Sequence, residues 1–231
     1  MSGEKIISDA EIKRKIADYR LLDDVFLTVY FKDNIEGVQF ILRIILDIDD
    51  LTVTEVKVQE EYKNIKGRSV KLDITAKDST ERIYNIEIQR ADGGAIPKRA
   101  RYHSAMLDSN ELQTSKYFDA LPETYVIFIT ENDIFKRKLP IYKIDRYIEC
   151  ENGEKILFGD EAHIIYVNGE IHDETKLGHL MHDFFCKNAN DMHYGELAEK
   201  MRFFKEDERG NAIMANSIEE ITALKNNLQP V

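Results

Sequence analysis

Cysteine, proline and a surplus of basic residues are what this sequence has least of, and each shortage excludes something. Its 231 residues include two cysteines, Cys150 and Cys186, far apart in the chain. No disulfide framework staples such a fold, and a reducing, cytoplasmic setting is expected. No basic start followed by an apolar segment is present, nor any long apolar run, so neither a signal peptide nor a membrane span is expected. Four prolines leave little material for a rigid linker, and no internal repeat or low-complexity tract is found. Asp and Glu number 43 against 32 Lys and Arg, a net charge of -11. A surface that is basic all over is thereby excluded, and nucleic-acid binding would have to rest on local basic patches or metal ions. Two catalytic classes are set aside as well. "ADGGAIPK", residues 91–98, has glycines but not the lysine-serine ending of a phosphate-cradling loop, and no serine sits in a nucleophile-elbow pattern.

What is present suits one main domain with room for a small helical appendage, since 43% of the residues are hydrophobic. Residues 4–19 are polar and helix-compatible. Residues 24–45 carry apolar positions at helical spacing, interrupted by "KDN" at 32–34, and predict two helices. "LTVTEVKVQEEY", residues 51–62, alternates with the period of a half-buried strand. "IPKRARYHSAMLDSNEL" opens with a proline suited to a first helical turn and predicts a helix with a basic beginning. "TYVIFIT", Thr124–Thr130, is a continuous β-branched and aromatic run, expected at the centre of the sheet. A further strand is predicted at 162–169 and helices at 177–187 and 194–206. From Gly210 onward apolar residues are few, and a weakly anchored tail is expected.

The segment "VKLDITAKDSTERIYNIEIQR", Val70–Arg90, predicts a hairpin with an acid inside each strand. Alternation puts Asp73 on the face of Lys71 and Thr75, and Glu87 on the face of Asn85 and Gln89. If the loop runs from Asp78 to Arg82, so that Lys77 pairs with Ile83, Asp73 falls opposite Glu87 with Cβ atoms about 4.5–5.5 Å apart. A slip of one residue would send the two acids to opposite faces. Carboxylates held that close repel unless a hard divalent cation shares their charge, and such a cation can also acidify water and polarise a phosphoryl oxygen. The bland alternative is a solvent-facing hairpin with ordinary surface charges.

Leu72-Asp73, then a hairpin, then Glu87-Ile88-Gln89 resembles the PD-(D/E)xK nuclease superfamily. The wider phrases "YNIEIQRADGGAIPKRARYHSAMLD", "LPETYVIFITENDIF", "LPIYKIDR", "HIIYVNG" and "LGHLMHDFFC" resemble its recombination-promoting nuclease, or transposase, branch from about Tyr19 to Glu206. The resemblance implies an α/β, restriction-endonuclease-like fold: a mixed central sheet flanked by helices, with a C-terminal helical extension. Residues 1–18 would then be an N-terminal helical segment, 19–170 the nuclease-like core and 171–231 the extension.

The implied activity is metal-dependent DNA cleavage linked to recombination or transposition. Asp73 and Glu87 would bind Mg²⁺, with Mn²⁺ or Ca²⁺ as alternatives, and Gln89 would position the attacking water. An acid on an early helix would assist: Asp24 if "LLDDVFLTVYF" is anchored on Phe31, Asp23 if it is anchored on Phe26, with Asp24 preferred. Leu72 in place of proline changes little. Gln89 in place of lysine leaves the compensating cation unassigned, because an amide orients but does not neutralise. Arg90, Lys98, Arg99 and Arg101 cluster nearby as candidate phosphate contacts, with Tyr102 beside them. DNA is the implied partner, no membrane is involved, and two cuts in one duplex would suit a homodimer. The competing reading is a catalytically idle nuclease fold kept as a DNA- or protein-binding module, which Gln89 and the acidic charge favour.

His179, His182 and Cys186 lie within two helical turns, but they punctuate an apolar helix and are read as packing rather than as a zinc site. His103 is read as a satisfied helix histidine.

Overall fold

The computed structural model describes residues 9–64, 67–112 and 115–227; the expected helix start at residues 4–8 lies outside them. The chain divides into two compact units, one of residues 31–181 and one built from its two ends, 1–30 and 182–231. Among the described residues, no helix is long and apolar enough to cross a membrane.

The larger unit is organised by a six-stranded mixed sheet. Its strands are β1 (Val53–Tyr62), β2 (Val70–Asp78), β3 (Ile83–Gln89), β4 (Thr124–Thr130), β5 (Ile141–Ile144) and β8 (Ala162–Asn168), in the order β1-β2-β3-β4-β8-β5. A separate two-stranded ribbon, β6 (Tyr147–Glu149) and β7 (Lys155–Leu157), lies between β5 and β8 in sequence. β4 is parallel to β3 on one side and to β8 on the other, which is why its side chains read as one apolar run: Val126 to Ile129 are fully buried. The connection from β3 to β4 carries α4 (Pro97–Glu111), with Pro97 in its first turn. Ala100, Met106 and Leu107 of α4 pack on Leu72, Ile83, Val126, Phe128 and Tyr166. This helix therefore covers the sheet face that carries Asn85 and Glu87, and the open hairpin face is replaced by a buried one. α3 (Ile35–Leu46) starts with Asn34 accepting from Gly37 N at 3.2 Å.

The hairpin register follows from one carboxylate. Asp78, 1% exposed, accepts from Thr80 N (2.9 Å), Thr80 Oγ1 (2.8 Å), Arg82 N (3.0 Å), Arg82 Nε (2.7 Å) and Tyr84 OH (2.8 Å). These bonds close the loop 78–82 so that Lys77 pairs with Ile83, Ala76 with Tyr84, Thr75 with Asn85 and Ile74 with Ile86.

In the unit built from the two ends, α1 (Asp9–Asp18), α2 (Asp24–Phe31), the end of α5 (Lys176–Phe185), α6 (Gly195–Glu206) and α7 (Glu208–Asn227) supply the helices. Phe26, Tyr30 and Phe204 form an aromatic cluster, and Tyr30 OH donates to Leu197 O at 2.7 Å. Lys205 Nζ donates to three carbonyls, Ala17 O at 3.0 Å, Tyr19 O at 2.5 Å and Lys187 O. From Gly210 onward the helix-compatible sequence is helical in α7, but the weakly anchored tail is corrected: Met214 and Ile218 are buried at 0% and 3% exposure. Two apolar residues four apart suffice to anchor a helix by one stripe, which a count of apolar residues understates.

Burial works to raise the Asp78 pKa, but the bonds from Tyr84, Thr80 and Arg82 outweigh it and hold the carboxyl below its ordinary range. A depressed acid contributes stability that is full above about pH 4 and is lost as pH falls through the folded pKa. Asp78→Ala is expected to destabilise the protein by roughly 2–4 kcal/mol at neutral pH. It is also expected to shrink the stability difference between about pH 7 and pH 3, read from urea melts at both pH values.

Candidate metal centre

β2 and β3 stop pairing at Ile74 and Ile86, one residue short of the two acids. Beyond that point each acid takes over the backbone donor that the ladder leaves. Asp73 N donates to Glu87 Oε1 at 3.1 Å, and Ile88 N donates to Asp73 Oδ2 at 3.0 Å. The two carboxylates are thus laced across the point where the strands part. Glu87 is fully buried. Its Oε1 also accepts from Asn85 Nδ2 at 2.9 Å, and Asn85, equally buried, donates to Ile74 O at 3.4 Å.

A third strand contributes a residue that alternation does not flag. Gln59 in β1 has φ of 55°, a left-handed conformation rare for a non-glycine residue. Its Nε2 donates to Asp73 Oδ1 at 3.1 Å.

One guanidinium closes the arrangement. Arg99 donates from Nη2 to Glu87 Oε2 at 3.2 Å, from Nη1 to Gly94 O at 3.0 Å and to Gln89 Oε1 at 3.4 Å, and from Nε to His103 Nε2 at 3.2 Å. The short stretch Asp92–Gly94 makes this possible: a Cβ on Gly94 would lie 1.7 Å from Gln89 Oε1. Three oxygens of Glu87, Gln89 and Gly94 therefore converge on one cation. They are hard donors, of the kind a Mg²⁺-like ion takes, and the guanidinium marks where positive charge is wanted. The residues present fit a hard divalent ion.

The other sequence-selected residues go elsewhere. Arg90 pairs with Glu131 at 3.1 Å and is half exposed. Arg99, grouped by sequence with the phosphate contacts, turns toward the acids. Lys98 and Arg101 are exposed. Tyr102 OH donates to Arg68 O and accepts from Asn64 Nδ2 at 3.1 Å. Asp24 stands exposed in the first turn of α2, in the other unit, and Asp23 accepts from Arg20 N at 2.7 Å.

Lys98, Arg99, Tyr102 and His103 do share a groove of about 810 Å³ with Arg68 and Lys71. Among the described residues no acid lines it, although the chain carries -11 overall. Arg68 and Lys71 escaped the sequence reading because they precede the first acid rather than follow the second.

A family model described as PD-(D/E)XK nuclease family transposase matches residues 34–223, most of the chain. The chain belongs to this family. No curated protein and no solved structure matches it. Membership in a PD-(D/E)XK nuclease family carries a nuclease- or transposase-like function acting on DNA, generally with divalent metal ions. The six-stranded mixed sheet with flanking helices is the restriction-endonuclease-like fold that such membership calls for.

Among the described residues, a different ligand-type cluster, His182, Asp183 and Cys186, occurs in this nuclease-family chain. Asp183 is fully buried, and its two oxygens accept His193 N (2.7 Å) and Tyr194 N (2.9 Å), which ties down the chain that leads into α6. Burial and the Asp183 and Asp191 charges push the Cys186 thiol up to about 11. His179 faces Glu174 at 3.3 Å instead of this group. The cluster is a helix junction.

Burial first, and the Asp73 charge second, push the Glu87 carboxyl well above the ordinary carboxylate range; the bonds from Asn85 and from Asp73 N, and the Arg99 charge, pull it back only in part. A divalent ion entering here displaces a proton. Ca²⁺ affinity is expected to rise between about pH 6 and pH 8. Calorimetry in buffers of different ionisation enthalpy is expected to show proton release near neutral pH, and Glu87→Gln is expected to abolish it.

Proposed function

We propose that this chain is a metal-dependent DNA endonuclease that hydrolyses phosphodiester bonds, in a recombination or transposition setting. The observation that carries this reading is the pair Asp73 and Glu87, laced across parting strands with a cation already held against Glu87, in a chain of a nuclease family.

Asp73 and Glu87 would hold the ion, Mg²⁺ in the first instance with Mn²⁺ or Ca²⁺ as substitutes. When bound, such an ion supplies Lewis acidity toward a phosphoryl oxygen. Gln89 orients the attacking water through its amide, and Arg99 supplies the charge that an amide lacks. A guanidinium is always protonated and presents a planar fork to phosphate oxygens. The missing lysine charge is thus delivered from α4 rather than from β3. The groove of Arg68, Lys71, Lys98 and Arg99 then receives the backbone phosphates, with Arg101 and Tyr102 beside it. Two cuts in one duplex would suit a homodimer, and the shortage of cysteine suits a reducing cytoplasmic setting.

The competing reading, an idle nuclease fold used for binding, draws on Gln89 and on the net charge of -11. Plasmid nicking with Mg²⁺, Mn²⁺ or Ca²⁺ separates the two. Asp73→Ala and Glu87→Ala are each expected to remove cleavage, and Arg99→Ala to lower it by roughly 10²-fold or more. Activity surviving both acid substitutions refutes the site, and binding without cleavage in any metal favours the idle module. Lys71→Ala and Lys98→Ala are each expected to weaken binding similarly across DNA sequences. Each is also expected to reduce the slope of log affinity against log salt by about one, measured by fluorescence anisotropy.

A further inference from the structure

His103 is read from the sequence as an ordinary helix histidine, yet the structure gives it a place between the acid and the cation. It is 2% exposed, packs on Phe128 at 5.8 Å between ring centroids, and has a polar partner at each ring nitrogen. Arg99 Nε is a donor and can be nothing else, so the Nε2 atom that faces it at 3.2 Å must be the unprotonated acceptor. The proton is then on Nδ1. That atom faces Asn85 Oδ1 at 3.3 Å and Glu87 Oε1 at 3.6 Å. Asn85 has its amide nitrogen committed to Glu87 Oε1 and Ile74 O, which leaves its oxygen to accept from Nδ1. Every donor and acceptor in the chain Arg99, His103, Asn85, Glu87 matches in only this tautomer. Burial, then the charges of Arg99 and Arg68, lower the His103 pKa to about 4, in keeping with a neutral ring.

We propose that His103 is a positioning residue of the metal centre, its Nδ1–H fixing Glu87 by way of Asn85 and its Nε2 fixing the guanidinium of Arg99. The proposal rests on the endonuclease reading for its effect on cleavage, but its effect on metal binding does not. The two nitrogens have separable duties, and an amide side chain of either length reproduces only one of them. Asparagine reaches the Nδ1 position and keeps a donor toward Asn85. Glutamine reaches the Nε2 position and keeps an acceptor for Arg99.

The test compares the parent with His103→Asn and His103→Gln. Ca²⁺ affinity is measured by calorimetry without DNA, and single-turnover plasmid cleavage with Mg²⁺. His103→Asn is expected to keep Ca²⁺ affinity within about twofold while slowing cleavage at saturating Mg²⁺ by roughly tenfold or more. His103→Gln is expected to weaken Ca²⁺ affinity by about 10–100-fold, the range for losing a partner behind a metal ligand, with cleavage largely restored at high Mg²⁺. Parallel loss of both readouts in both variants, tracking their thermal midpoints, overturns the proposal and leaves a packing role. Unchanged readouts in both variants also overturn it. If the parent binds Ca²⁺ but cuts no DNA in any metal, the endonuclease reading fails, while the Ca²⁺ affinities still decide the role of His103. Should either variant fail to fold, ¹⁵N imidazole shifts of the parent decide: a protonated Nδ1 and bare Nε2 at neutral pH support the assignment, and a protonated Nε2 overturns it.

Discussion

The structure depends on the place where two strands of a hairpin part before their acids. Ladder hydrogen bonds end at Ile74 and Ile86, and a buried backbone donor left without a partner costs on the order of 1–3 kcal/mol. Asp73 and Glu87 satisfy those donors with their own carboxylates. The exchange puts two carboxyl groups side by side, one of them fully buried, and polar groups gather round them: the Asn85 amide, the Gln59 amide, the Arg99 guanidinium and the neutral imidazole of His103. A backbone requirement and an electrostatic requirement are met by the same two carboxyl groups.

This also accounts for how an acidic chain can belong to a family of nucleases. The overall balance of -11 governs long-range behaviour, whereas among the described residues the groove lined by Arg68, Lys71, Lys98 and Arg99 carries no acid.

Much of the fold was legible because its signals are local. The unbroken apolar run of β4, the alternation of β1, Pro97 at the start of α4 and the "KDN" interruption between α2 and α3 each act over a few residues. The register of the loop-proximal pairs was legible too, since a five-residue loop leaves few ways to pair the strands, but the expected pairing of Asp73 opposite Glu87 was not, because the ladder ends at Ile74 and Ile86. What escaped is what depends on tertiary contact. The short strands β5, β6 and β7 hold three or four residues each, too few for a period to show. Met214 and Ile218 look sparse until a surface is found beneath them. Gln59 reaches Asp73 only through a backbone conformation that no pattern of residue types announces. Arg99 was visible as a basic residue, but its inward turn rests on Glu87, the Gly94 carbonyl and His103, which only the folded chain brings around it. The buried face of the hairpin likewise depends on where α4 lies.

In the proposed chemistry the two ion-binding acids lie on a hairpin complete by residue 89, while the compensating cation lies on a helix that begins eight residues later. Ribosomal synthesis therefore exposes the acids first and the guanidinium afterwards, and the latter is useful only after its helix has settled on the sheet. A chain made only as far as residue 89 would carry the acids without the guanidinium, so on this reading the means of ion binding precede the means of bond breaking in the order of synthesis.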